Sequence, residues 1–223
     1  MIGQLKTVVL DAPDIKGLAD FYVGLAGLTE AYADDEWITL TGAPGFRLAM
    51  QLAPDHIPPR WPDPAYPQQG HLEIATPDRE EAARRAESLG ARRLGGGESW
   101  HVLADPAGHT FCLYDGDVSQ PTIEAVTIDC ADAAALRRFY TDLLGPDSES
   151  AIGFQQVDDY HPPRWPDPAY PQQFHIDVLV DDIETTEPAT LAIGATRLPG
   201  EGGNWRVYAD PQGHPFCLTW TAE

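Results

Sequence analysis

His71 and His175 stand at equivalent places in a repeated text: each follows, two positions on, the end of an identical twelve-residue segment, PPRWPDPAYPQQ, at Pro58–Gln69 and Pro162–Gln173. An imidazole can ligate a metal, act as a base or donate a hydrogen bond, so a duplicated His marks the first place to look for chemistry. Cys112 and Cys217 are also paired by the repeat, within HTFCL and HPFCL. No His is spaced beside either thiol as a base, so the expectation is a small buried hydrophobe rather than a nucleophile. The repeated segment is stiff and aromatic. It places Arg60, Trp61 and Tyr66 in the first copy and Arg164, Trp165 and Tyr170 in the second, with Trp100 and Trp205 following later. These residues suit the wall of a pocket for a flat or anionic small molecule. The competing reading makes Trp61 and Trp165 core plugs and the Arg–Tyr neighbours a structural stack. His109 and His214, just after a turn glycine, read as hairpin-end residues.

The elements that must carry these side chains repeat as well. VVLDAPDIKGLADFYVGLAG (Val8–Gly27) matches VTIDCADAAALRRFYTDLLG (Val126–Gly145), and WHVLADPAGHTFCL (Trp100–Leu113) matches WRVYADPQGHPFCL (Trp205–Leu218). The register between copies drops from 118 residues at the front to 104 at the strap, so the second copy is 14 residues shorter. The loss falls around Glu30–Thr41 and predicts one missing or abbreviated sheet element. Within the first copy the pattern reads as strand (Leu5–Ala12), helix (Asp14–Leu25), strands through FRLAMQL, the strap, strand (His71–Ala75), helix (Asp78–Leu89) and two final strands. Ile15, Leu18, Tyr22 and Leu25 share one helix face behind Asp14 as N-cap. Asp78 with Glu81 predicts a capping box, and the Asp-Pro-x-Gly runs at 105–108 and 210–213 predict tight turns. Pro188 predicts that the fourth helix starts late, near Thr186, or begins with an irregular turn.

At 223 residues the chain suits two domains, 1–117 and 121–223, joined by the linker Asp115–Pro121, each of a size able to bury its own core. The net charge of −21 is shared by both halves, and the short Arg pairs at Arg84, Arg92 and Arg137 form no basic face, which excludes nucleic acid as a partner. No apolar run reaches the roughly 20 residues of a membrane span, and three Cys without CxxC spacing argue against a disulfide framework or zinc knot. A cytoplasmic, reduced protein, monomeric as an internal pseudo-dimer or homodimeric, is the expectation.

Together, the strand ending in PD or AD, the helix closing with FYxxLxG, the starts HLEIATPD and HIDVLVDD and the DPxGHxFCL ends resemble the glyoxalase/bleomycin-resistance/extradiol-dioxygenase group, the vicinal oxygen chelate superfamily, over nearly the whole chain. The resemblance implies an α+β fold of four βαβββ modules in two domains, with curled sheets around a cavity. In metal-dependent members a ligand from each module's first strand, usually His, and one from its last strand, usually Glu, converge on a divalent ion. Mapped onto this chain, His71 and His175 keep the second-module position, Thr7 and Ala125 replace the first-module one, and Gln51, Gln155, Cys112 and Cys217 replace the carboxylates. No carboxylate remains in the mapped set, which is poorly matched to oxygen-loving ions. The expectation is therefore small-molecule binding without a catalytic metal. The alternative is a metal-dependent lyase, isomerase or dioxygenase that pairs, for example, Gln51 with His175 across the copies. A partner-binding protein with filled cavities is the third possibility.

Overall fold

The computed structural model describes residues 1–42, 46–167 and 169–221. The first copy runs β1 (Gln4–Ala12), α1 (Ile15–Ala26), β2 (Thr29–Ala33), β3 (Trp37–Thr41), β4 (Arg47–Leu52), β5 (Gly70–Thr76), α2 (Arg79–Ser88), β6 (Arg92–Gly96), β7 (Trp100–Ala104) and β8 (Thr110–Asp115). The second runs β9 (Thr122–Cys130), α3 (Ala133–Leu144), a 3₁₀ turn (Pro146–Ser150), β10 (Ile152–Gln156), β11 (Phe174–Leu179), α4 (Ile183–Ala192), β12 (Thr196–Gly202), β13 (Trp205–Ala209) and β14 (Pro215–Thr219).

Helix ends follow the local chemistry. Asp14, Asp78, Asp132 and Asp182 all accept backbone N–H groups of the first turn through their side chains, and Gly27 closes α1 with φ 65°, a left-handed conformation open to glycine. The capping box at α2 is only half formed, because the Glu81 carboxylate pairs with Arg84 at 2.7 Å while its backbone N–H caps on Asp78. The predicted face of α1 is buried: Ile15, Leu18, Tyr22 and Leu25 are at most 7% exposed.

Three expectations need correction. The second copy lacks two strands rather than one, since the 3₁₀ turn stands where the first copy has β2 and β3. Three strands, not two, follow α2, because β6 (RRLGG) pairs with β7 despite its glycines, with a register shift between Arg93 and Gly95. And α4 starts at Ile183, with Pro188 inside it, because the Asp182 cap organises the first turn ahead of the proline.

The strands form one eight-stranded sheet, β12-β13-β14-β11-β1-β4-β3-β2, and one six-stranded sheet, β10-β9-β5-β8-β7-β6. Each sheet takes half its modules from each copy: β1 pairs antiparallel with β11, and β5 with β9. The apolar core is correspondingly one cluster that spans both copies, including Leu10, Tyr22, Leu72, Phe111, Tyr140 and Phe216. The sheets approach closely at the pseudo-twofold axis. There Gly70 leaves room that its counterpart Phe174 fills: a Cβ at 70 would stand 2.8 Å from the Phe174 ring.

Two buried contacts explain the repeated motifs. Tyr22 of the FYxxLxG helix donates to Asp105 of the turn (2.9 Å), as Tyr140 does to Asp210 (3.1 Å), tying the two modules within each copy. Asp105 in turn holds His109 Nδ1 at 3.1 Å, and His109 Nε2 reaches the Gln173 carbonyl at 3.1 Å. Burial opposes charge on His109, but Asp105, Asp11 and the Gln173 carbonyl together outweigh it and raise the imidazole pKa. His109 and His214 are thus hairpin-end residues with structural partners.

Candidate functional site

Alternation along paired strands sorts side chains into a core face and an open face. In the six-stranded sheet Leu72 and Ile74 lie on the core side with Phe111 and Leu113. His71 and Glu73 take the other face, where Glu73 pairs with Cys112, and Cys112 with Val102, while Trp100 pairs with Tyr114 at the outer end. From β9 and β10 the same face receives Thr127, opposite His71, and Gln155, opposite Asp129. The eight-stranded sheet repeats this with His175, Asp177, Cys217 and Trp205, and it adds Thr7, Asp11 and Gln51 from the first copy. Each sheet therefore curls into a cup whose floor is shared between copies. Gln51 lies in the cup of His175, and Gln155 in that of His71. A grouping of Gln51 with His71 and Cys112 does not occur.

The sequence mapping missed a carboxylate in each cup. His71 Nε2, a Glu73 oxygen and Cys112 Sγ lie within 4.8 Å of one another, and so do the corresponding atoms of His175, Asp177 and Cys217. Glu73 and Asp177 stand two residues after the His. The i, i+2 spacing in HLE and HID was the available signal, but the resemblance points to last-strand positions instead.

Nitrogen, carboxylate and thiolate donors suit a borderline ion such as zinc. The surrounding hydrogen bonds do not. A ligating imidazole gives one nitrogen's lone pair to the metal and donates the N–H of the other to an acceptor. Here the other nitrogen, His71 Nδ1, faces the amide nitrogen of Gln68 at 3.2 Å, and Nε2 faces Glu73 at 3.0 Å. Glu73 also accepts from Thr127 (3.4 Å), so Nε2 is a donor to it; burial opposes charge on His71, but its contacts with Cys112 and Glu73 raise the imidazole pKa to about 10. Gln172 meets His175 Nδ1 in the same way, at 3.2 Å. As arranged, Nδ1 of each imidazole faces an amide nitrogen rather than an acceptor.

The two cups differ in access. The eight-stranded cup is walled by β3, whose Trp37 ring lies 6.5 Å from the His175 ring, and its Asp177 side chain is 9% exposed. Burial pushes His175 down to about 4 and Asp177 up to about 6, the latter against the pull of Lys6. The six-stranded cup lacks the strands equivalent to β2 and β3, and its Glu73 side chain is 27% exposed.

The strap residues divide. Trp61 is half-buried outside the core and lies over Gly95 of β6, and Trp165 lies over Gly200 of β12; neither is a core plug. Trp100 and Trp205 are 45% and 38% exposed at the rims. Arg60 stacks on Tyr66 at 4.0 Å and Arg164 on Tyr170 at 4.2 Å, contacts within the strap itself. A hollow of about 380 Å³ lies near the linker, lined by residues such as Gly27, Thr41 and Gln120, and among the described residues no titratable side chain lines it. The void beside His71, between the sheets, is about 10 Å³, below what holds a ligand.

Paired sheets of this kind, with four related modules crossing between copies, are matched by the sequence itself. A sequence model of the Glyoxalase-like domain covers residues 7–114 and again 125–219. The chain belongs to this glyoxalase-like family, within the vicinal oxygen chelate superfamily. Among solved structures it is similar to glyoxalase I from Zea mays, with 17% identity and a TM-score of 0.66 over 97% of this chain and 92% of that one. It is also similar to the cppA protein from Streptococcus pneumoniae TIGR4, with 12% identity and a TM-score of 0.56 over 98% and 99%. At such identities the likeness concerns the fold alone. A search of curated protein sequences gives no significant match. No helix among the described residues is long and apolar enough to cross a membrane. The expected glyoxalase-like fold of tandem βαβββ modules therefore holds, with the third module shortened to βαβ.

Proposed function

We propose that this glyoxalase-like chain binds a small organic molecule in the cup of the six-stranded sheet, without a metal. The observation that carries this reading is the asymmetry of the cups. Loss of two strands leaves one cup open beside a floor of His71, Glu73, Cys112 and Tyr114, with Trp100 and Trp61 toward the outer strands. The other cup keeps its wall and its buried polar floor. Aromatic walls with a few fixed polar groups are the common make-up of small-molecule sites. The Gln–His hydrogen bonds favour the metal-free form.

The test is a panel of aromatic small molecules titrated into EDTA-treated protein and followed by the indole NMR signals. Perturbation of Trp61 and Trp100 but not of Trp165 and Trp205 is the expected result, and Trp100→Ala should weaken binding about fivefold or more without lowering thermal stability. A response that appears only after zinc is added would favour the second reading, a metal-dependent lyase, isomerase or dioxygenase. That reading is supported by the convergence of His71, Glu73 and Cys112.

A further inference from the structure

Both straps end in two glutamines, and the fold gives the two separate tasks. Gln69 and Gln173 clasp the copies to each other: each side-chain oxygen accepts the other's backbone N–H at 2.9 Å, and each amide nitrogen reaches a strap carbonyl of the opposite copy. Gln68 and Gln172 instead join a His of their own copy to an Asp of the other. Gln68 Nε2 donates to Asp129 at 2.9 Å, and Gln172 Nε2 donates to Asp11 at 3.0 Å.

The direction of the Gln68 amide is set by three neighbours. Its oxygen accepts the Thr110 hydroxyl at 2.6 Å, and its nitrogen faces Asp129. Asp129 also accepts from the Gln155 amide at 3.4 Å, so it acts as acceptor for two amide groups. A flipped Gln68 would set its oxygen against that carboxylate. With one N–H spent on Asp129, the other points at His71 Nδ1 and opposes a proton there, so the neutral ring carries its proton on Nε2. Gln68, Thr110, Asp129 and His71 are all buried. In the second copy Pro215 stands where Thr110 does, so among the described residues the Gln172 amide nitrogen is held by Asp11 and His175.

We infer that Gln68 and Gln172 set the tautomer of His71 and His175, and that this hydrogen-bond polarity keeps divalent cations off the two His–carboxylate–Cys clusters. They are positioning residues, acting through the imidazoles. The inference deepens the metal-free reading above, on which it rests for its functional meaning. It also gives the strict repetition of the strap a physical reason: the glutamines at its end span the two copies.

The experiment reverses the polarity at constant charge. In Gln68→Glu/Asp129→Asn, the new amide at 129 donates to the new carboxylate at 68, which is left to accept a proton from His71 Nδ1. Long-range ¹H–¹⁵N NMR of the full chain, recorded where the rings are neutral, should show Nε2–H and a bare Nδ1 for His71 and His175 in the parent, with the His71 proton moved to Nδ1 in the swap. Competition with a chromophoric chelator should show zinc binding tightened on the order of 10- to 100-fold in the swap, the range by which outer-shell partners tune metal sites. Nδ1–H in the parent, or zinc bound as tightly by the parent as by the swap, would overturn the inference. Should the swap fail to fold, the parent NMR still decides, and Gln172→Glu/Asp11→Asn offers the independent repeat. Parent Nδ1–H with an intact response to aromatic ligands would sink the tautomer and leave the cup's function standing. The expected tautomer with no ligand response would do the reverse.

Discussion

The residues of the closed cup carry a measurable charge penalty. Asp177 is held at about 6, against an ordinary 3.8, because burial disfavours its ionised form more than Lys6 favours it. Between those values the folded chain binds a proton that the unfolded chain has released, so this group lowers stability as pH rises from about 4 to about 6 and adds no further change above. Asparagine cannot ionise. Asp177→Asn should therefore come close to the parent near pH 4 and exceed it by roughly 2 to 3 kcal/mol at pH 7.5, since each tenfold change in proton affinity is worth about 1.4 kcal/mol. Urea unfolding at both pH values reads the difference. An equal effect at both would show that the carboxylate is accommodated by hydrogen bonds instead. That His71 and His175 occupy equivalent places was legible in the sequence, because a repeat is an internal comparison, and the fold sets each on the floor of its cup. Glu73 and Asp177 were legible only through strand alternation, and the cross-copy partners Asp11 and Asp129 were not legible at all, since no local spacing says which strand lies beside which.

Elements show which local rules yield to context. Capping aspartates and the amphipathic face of α1 were readable because they act within one or two turns, and they hold in the structure. β6 escaped because RRLGG shows no alternation; its strand form is imposed by β7 beside it. α4 begins earlier than its proline suggests because the cap before it is the stronger influence. Pro188 is the sixth residue of that helix, where it offers no N–H to the Glu184 carbonyl and its ring crowds the preceding turn. The Asp182 cap, the Thr190 hydroxyl on the Thr186 carbonyl (3.1 Å) and Arg206 bound to both Glu184 and Glu187 (2.7 Å each) offset this. Pro188→Ala restores the missing donor at an otherwise tolerant position, so it should stabilise the protein by about 1–3 kcal/mol and raise its melting temperature by several degrees. Unchanged or lower stability in a calorimetric scan would mean that the helix is already bent to suit the proline.

On the scale of the whole molecule, the two copies are not two independent cores. The junctions β1–β11 and β5–β9 both cross between copies, so residues 1–117 alone would expose the inner edges of β1 and β5, strands whose Val8, Val9, Leu10, Leu72 and Ile74 are almost wholly buried. Long apolar edges of this kind pair with whatever strand is complementary. The complement is present in the same half: β1 corresponds to β9 and β5 to β11, so β1 of one fragment has the pairing face that β5 of another requires, and the reverse. Two such junctions close a symmetric dimer, with Gln69 clasping its own counterpart as it clasps Gln173 in the intact chain. Residues 1–117 expressed alone should therefore be a dimer by light scattering. Mixed with residues 118–223 after denaturation and refolding, they should yield the 1:1 complex, whose six-stranded cup is open as in the parent, alongside the homodimer, in which the second half's missing wall strands are restored and both cups are closed. Ligand response in the 1:1 complex but not in the homodimer would tie function to the shortened copy. A folded, monomeric 1–117 would show instead that one copy can close its core alone, and that the crossing of strands is incidental to stability.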